Sequence, residues 1–308
     1  MRVAVVGGTG FVGSYLTEGL LARGDQPVLL VRPGSEPRVN SRQCEQVAGY
    51  VDQPQALEQL LEGADAVIHL VGILREMPSR GVTFEKCQYD SPLHLMRAAE
   101  KMGVKRFLLM SANGVKAEGT AYQMTKYRAD EALQASALEW TIFRPSVLFG
   151  DPRGRMEFAT QLYREIISIP APSPLFYQGL LPLNAGSMAM TPIHVSDVVA
   201  VMLASLDRQE MVGKIYPLGG GREVSWKEIL KTIAAATHRR FFALPVPVWA
   251  IHSVAALLDR FEEFPITRDQ LTMLLEGNCC DSEEIFQQLG ITPRPFTQEQ
   301  LDYLNHSA

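Results

Sequence analysis

Residues 5–24 read VVGGTGFVGSYLTEGLLARG. Two valines close an apolar run, glycine recurs at Gly7, Gly10 and Gly13, and an amphipathic stretch follows without a break. A G-x-x-G-x-x-G spacing between a strand and a helix predicts a phosphate-binding turn. The first glycine permits the tight bend, the second lets backbone approach a pyrophosphate, and the third lets the helix pack close to the strand. The helix start then offers free amides and the positive end of its dipole to an anion. Three glycines alone are weak testimony; the strand before them and the helix after them make the signal specific. Gly7, Thr9, Gly10, Phe11 and Gly13 are therefore expected to hold a dinucleotide.

Outward from that turn, the apolar runs VAVV (3–6), PVLLV (27–31), AVIHLVG (66–72), RFLLMS (106–111) and WTIFRP (140–145) alternate with helical patterns near 11–23, 54–62, 90–102 and 121–137. Runs without in/out alternation are strands buried on both faces, and helices between them imply a parallel sheet. The predicted class is α/β: a doubly wound parallel sheet with a smaller, mainly helical C-terminal domain. The first domain is expected over 1–150 with a return segment near 188–207; the second takes 151–187 and 208–308 and closes over the nucleotide. In the return segment, MTPIHVSDVVAVMLASL (190–206) reads as a strand and then a helix with Ser196 as N-cap. Further helices are expected near 225–237, 247–260, 267–276, 282–289 and 297–305, with a strand near 214–218.

The 308 residues are 46% hydrophobic and 20% charged, the balance of an ordinary globular protein. A net charge of -5 without a basic run argues against nucleic acid as a partner. Cys44, Cys87, Cys279 and Cys280 show no CxxC spacing and no zinc pattern, so reduced thiols and a cytoplasmic setting are expected. The apolar run from residue 2 reads as a buried strand, so no targeting peptide is expected. FFALPVPVWAIHSVAALL (241–258) is broken by two prolines and falls short of the ~20 apolar residues that span a bilayer. Trp249, Ile251, Val254, Leu257, Leu258 and Phe261 nevertheless make a broad apolar face. Core packing and an exposed face for a membrane surface or protein partner are both open, with Asp259, Glu262 and Glu263 weighing against anionic lipid.

The residue after the second strand selects the nucleotide. A carboxylate there would bind a ribose 2′-OH, whereas Arg32 suits a 2′-phosphate, so NADP(H) is expected over NAD(H). Tyr122 and Lys126, in TAYQMTKYRADEAL (120–133), share one helix face at four-residue spacing. A nearby ammonium can lower a phenol's pKa and make it a proton donor near neutrality, or the two can be an ordinary surface pair. His69 is expected to be a hydrogen-bonded core histidine, and Gly72 with Val71 to let a ligand approach the end of the fourth strand. His194 and Asp197 are read as structural.

Taken together, GGTGFVG, ADAVIHLVG, FLLMSANGV, Tyr122-x-x-x-Lys126, TIFRPSVLFG and PIHVSDVV resemble the short-chain dehydrogenase/reductase superfamily, in its extended and atypical branches. The later segments GKIYPLGGGREVSWKEILKTIA, LPVPVWAI and TRDQLTMLLEGNCCDSEEIFQQLGITPRPFTQEQLDYL are similar to the NAD(P)H-binding accessory subunit of respiratory complex I and its bacterial homologues. The resemblance implies Tyr122 as general acid/base toward a carbonyl or alcohol. It implies Lys126 as the holder of the nicotinamide ribose, and a hydroxyl after the fifth strand that orients the reacting oxygen. Ser111 matches the first of two usual hydroxyls, but Ala112 stands at the second, so either Ser111 or Asn113 substitutes or the oxygen-orienting group is missing. The usual adenine-reading Gly-Asp appears as Gly49-Tyr50, with Asp52 two residues on, and Pro145 and Ser146 become cofactor neighbours. The implied function is that of an NADP(H)-binding oxidoreductase-type protein. Either the cofactor is structural, with a role linked to complex I or quinone metabolism, or Tyr122 works as the acid/base of a reductase or nucleotide-sugar-type epimerase. The implied partners are a small carbonyl or quinone-like substrate, or a protein bound through the C-terminal domain, peripheral at the inner membrane face.

Overall fold

The computed structural model describes residues 1–35, 43–250 and 268–305. They form two units: Met1–Pro145 with Val195–Pro217 and Ile285–Ile291, and Ser146–His194 with Leu218–Glu284 and Thr292–Ala308.

The first unit is built on a seven-stranded sheet. In chain order its strands are β1 (Arg2–Val6), β2 (Gln26–Val31), β3 (Glu45–Ala48), β4 (Ala66–His69), β5 (Arg106–Met110), β6 (Glu139–Pro145) and β11 (Lys214–Leu218). Their spatial order is β11-β6-β5-β4-β1-β2-β3, and each neighbouring pair from β6 through β3 runs parallel. β1 sits between β2 and β4, with Val6 opposite Leu30 on one side and His69 on the other. Val3, Ala4 and Val5 are fully buried, which is why their sequence shows no alternation: helices cover both faces. The reversal of strand order at β1/β4 is the switch point where sheets of this type bind ligands, at the carboxyl ends of the strands.

The helices of this unit are α1 (Phe11–Ala22), α2 (Pro54–Leu61), α3 (Ser91–Met102), α4 (Ala121–Gln134) and α6 (Val195–Ser205). Helix α4 starts with a capping box, Thr120 accepting from the Gln123 amide while the Gln123 side chain accepts from Thr120 N–H. Two details differ from the sequence reading. Residues Glu85–Asp90 form a π-helical turn that runs into α3, a widening that spacing rules cannot see. Helix α6 begins at Val195, so Ser196 is inside its first turn and is not its N-cap.

The second unit carries β7 (Leu148–Phe149), α5 (Phe158–Leu162), β8 (Ser173–Tyr177), β9 (Ala189–Met190), β10 (Ile193–His194), β12 (Val224–Ser225), α7 (Trp226–Ala236), β13 (Ala243–Pro247) and α8 (Arg268–Glu276). Three two-stranded pairs, β10-β7, β12-β9 and β13-β8, accompany the helices. Its core gathers Phe149, Phe176, Trp226, Ile229, Phe296 and Leu301. Each such side chain removed from water contributes about 1.5–3 kcal/mol. The segment expected as a helix over 297–305 is a 3-10 helix, Glu299–Asn305. The tract 244–250 holds β13 and an exposed Trp249, while positions 251–263 of the expected apolar face lie outside the described residues. No described helix is long and apolar enough to cross a membrane.

Candidate nucleotide site

The glycine turn connects β1 to α1. Gly7 has φ +92°, a left-handed conformation that L side chains rarely adopt. A Cβ added at Gly7 would stand 3.2 Å from Leu70 and from the Val71 nitrogen, at the end of β4. At Gly13 it would strike the Gly7 carbonyl and come within 2.6 Å of the Gly8 backbone. At Gly10 its one neighbour within 4 Å among the described residues would be the Gly7 oxygen at 3.2 Å. Gly13 is therefore needed by the fold, whereas Gly10 borders open space. Gly10 is also the N-cap of α1, which has no side-chain cap and no acidic residue in its first turn. A helix end left uncapped beside a glycine cradle is suited to an anionic ligand. Phe11 opens that helix with its ring edge-on to Tyr15, at 6.0 Å between centroids; Thr9 lies between the glycines and is half-buried.

Past the end of β4, Gly72 would place a Cβ 3.4 Å from the Lys126 Nζ. The structure thus links the glycine turn to Lys126 through Leu70, Val71 and Gly72. Lys126 is buried on α4, and its Nζ donates to the Met110 carbonyl at the end of β5, 3.3 Å away. Burial lowers its pKa to about 8, against a smaller opposing pull from Asp130. Tyr122 lies one turn earlier, its ring packed edge-on against Phe84 at 5.7 Å. Burial pushes the phenol well above its ordinary pKa, so desolvation and not the neighbouring ammonium, 6.0 Å from the ring centroid, sets the direction of the shift.

Ser111 continues β5, its amide donating to the Phe143 carbonyl at 2.8 Å. Burial raises the pKa of the Asp130 carboxyl, and the Ser111 hydroxyl, buried without a hydrogen bond of ordinary geometry among the described residues, lies close enough to offset part of that rise, as do Arg144 and Lys126. The Asn113 amide donates to the Pro145 carbonyl, also at 2.8 Å. In the second unit the Ser146 hydroxyl donates to the Asn278 carbonyl at 2.8 Å. Arg32 is exposed beyond β2, near enough to Cys87 to influence its thiol. Asp52 is exposed on the connection from β3 to α2.

A narrow crevice, too tight for a water molecule, runs beside Lys126 and is lined by His69, Val71, Gln88, Ser111 and Asp130 among others. His69 is buried and shares a hydrogen bond with Ser91 at 2.8 Å; burial first, and Lys126 second, bring its pKa to about 3, so it is neutral. Gln88 donates to the Ile73 carbonyl at 2.7 Å and accepts from Thr125 at 2.9 Å, joining the β4 loop to α4. Gln88, Asp130 and Arg144 escaped the sequence reading. For Asp130 a signal existed, since it follows Lys126 by four residues; for Gln88 none did.

A doubly wound sheet with a glycine cradle at its switch point and a buried ammonium beyond the next strand defines a Rossmann-type nucleotide-binding protein. Residues 7–165, just over half of the chain, match the NAD(P)H-binding family, and the chain belongs to it. It is 27% identical to the ceramide reductase of Caulobacter vibrioides, over 86% of this chain and 80% of that protein. It is 23% identical to the mitochondrial subunit 9 of the NADH dehydrogenase (ubiquinone) 1 alpha subcomplex of Mus musculus, over 97% of this chain and 78% of the relative. The fold is shared with the crystal structure of a Thermus thermophilus UDP-glucose 4-epimerase in complex with NAD, at TM-score 0.74 and 18% identity over 100% and 98% of the two chains. Membership therefore holds for the NAD(P)H-binding family, and the likeness to the epimerase holds for the fold.

Proposed function

We propose that this protein binds NADP(H) mainly as a structural cofactor, in an oxidoreductase-type scaffold linked to a respiratory assembly or to quinone metabolism. Gly7, Thr9, Gly10, Phe11 and Gly13 would cradle the pyrophosphate, Arg32 the 2′-phosphate, and Lys126 the nicotinamide ribose. Asp52 would face the adenine, with Val71, Gly72, Pro145 and Ser146 as further neighbours. Bound NADPH supplies a hydride donor. The observation carrying the structural reading is the missing hydroxyl: Ala112 stands where the usual second one would be, and burial raises the Tyr122 pKa where a working acid/base would have it lowered toward neutrality. The 97% coverage against a complex I subunit supports the same reading. On this reading the chain works in a reducing, cytoplasmic compartment, peripheral to the membrane, and engages a protein partner through its second unit.

A second reading, a working NADP-dependent reductase or epimerase acting on a small carbonyl or quinone-like substrate, is favoured by the Tyr122–Lys126 pair itself and by the similarity to a ceramide reductase. In that case Ser111 or Asn113 would orient the substrate oxygen while Tyr122 moves the proton. Nucleotide released from the purified protein, identified by mass spectrometry, tests the binding claim. An NADPH-oxidation screen against quinones, sugars and small carbonyls tests turnover. Substrate oxidation or reduction that is lost in Tyr122→Phe overturns the structural reading.

A further inference from the structure

Helix α4 presents Tyr122, Lys126 and Asp130 at four-residue spacing. The function proposed above uses the first two. Asp130 is the most enclosed of the three, with 0% of its surface exposed. Its Oδ2 accepts from Arg144 Nε, on β6, at 2.9 Å. Its Oδ1 is buried without a hydrogen bond, as is the Ser111 hydroxyl that lines the same crevice. Burying a carboxylate is costly unless other groups need it there.

Lys126 is such a group. From β4 it is faced by His69, which is neutral; from the end of β5 by the Met110 carbonyl and Ser111; and from the π-helical turn by the Gln88 amide. On α4 itself it has the protonated phenol of Tyr122 and the carboxylate of Asp130, with Arg144 behind the latter. Among the described residues lining the crevice, Asp130 is the one anion. We propose that Asp130 is a positioning residue: its carboxylate, held by Arg144 and faced by Ser111, is the fixed counter-charge that keeps Lys126 an ammonium at the ends of β4 and β5.

The sign of the electrostatics agrees, since Asp130 is the group that works against the downward pull of burial on Lys126. Without it the amine would be mostly neutral at physiological pH and would largely lose its charged hydrogen bonds. The use of that charge rests on the nucleotide reading; the charge itself does not.

The test is a titration of the full chain labelled with 13Cε-lysine, without nucleotide, the Lys126 resonance being assigned by its loss in Lys126→Ala. In Asp130→Asn the Lys126 midpoint is expected to fall by about 1–3 pH units, the scale of a lost neighbouring charge. That variant strands the Arg144 guanidinium, so Asp130→Leu combined with Arg144→Leu is titrated beside it; an apolar pair removes both charges without leaving an orphan. An unchanged midpoint in either folded variant overturns the proposal. NADPH affinity provides the second readout. Relative to the parent, and for a midpoint lowered by about one to two units, Asp130→Asn should bind at least roughly eightfold more weakly at pH 8.5 and within about twofold at pH 6, since one pH unit is a factor of ten in protonation. An equal loss at both pH values means that Asp130 acts through the fold alone, and refutes the assignment. A parent chain that binds no NADPH at any pH refutes the nucleotide reading instead, and the lysine titration then decides this one.

Discussion

The Nζ of Lys126 lies 6.0 Å from the centroid of the Tyr122 ring, one turn along α4, and donates to the carbonyl of Met110. The two side chains share a helix face but have separate partners. Their contributions to binding and to proton transfer are therefore separable by mutation.

Tyr122→Phe keeps the ring against Phe84 and removes only a hydroxyl, so a binding site should be almost indifferent to it. Lys126→Ala removes the ammonium and should weaken NADPH by about 1–3 kcal/mol, the worth of a charged hydrogen bond. Fluorescence titration of both variants measures this. A reductase would show the reverse emphasis, with Tyr122→Phe costing roughly 10²–10⁴ in turnover.

The glycines should divide by what surrounds them. Gly10→Val is expected to leave a folded protein, because its Cβ meets only the Gly7 oxygen at 3.2 Å, and to abolish nucleotide binding by filling the cradle. Gly13→Val should unfold the first unit, since backbone atoms of Gly8 at 2.6 Å cannot give way. Circular dichroism beside a binding titration reads both; retained affinity in folded Gly10→Val would mean that the ligand lies elsewhere.

Arg32 is exposed at the end of β2, free to form charge-assisted bonds with a 2′-phosphate. NADPH should bind more tightly than NADH, and Arg32→Ala should remove about 1.5–3 kcal/mol of that difference. Equal affinities for the two nucleotides in the parent protein would sink the assignment.

His69 makes stability depend on acid. Its folded pKa, about 3, lies below the ordinary 6.5, so between those values the unfolded chain holds a proton that the folded protein refuses. Stability should be lost as pH falls through that window, by up to about 1.4 kcal/mol per pH unit. Lys126 acts with the same sign in alkali: its folded pKa of about 8 lies below 10.5, so its contribution to stability rises from about pH 8 upward while charge-dependent nucleotide affinity declines. Urea unfolding across pH, with His69→Gln flattening the acid limb, checks the first; NADPH titration from pH 7 to 9.5 checks the second.

Much of the first unit was readable from the chain because its signals are local. A strand, three glycines and a helix occupy 24 consecutive residues, and the constraint each glycine meets is imposed by neighbours a few positions away. The Tyr122–Lys126 spacing was equally plain. The parallel pair β13-β8 was not, for ALPVP (243–247) carries prolines that discourage a strand reading, and its partner lies about 70 residues earlier.

What the sequence by itself determined is therefore the class: an alternating α/β chain, a glycine-rich turn between the first strand and the first helix, and a lysine one helical turn from a tyrosine. What only the tertiary structure decided is the electrical state of those groups. Asp130 meets Arg144 across 14 residues and two elements, and Ser146 meets Asn278 across 132. Whether a phenol is lowered by an ammonium or raised by burial depends on distances and solvent access that exist only after such segments have packed. Spacing can put two side chains on one face; it cannot say how much water the fold leaves between them.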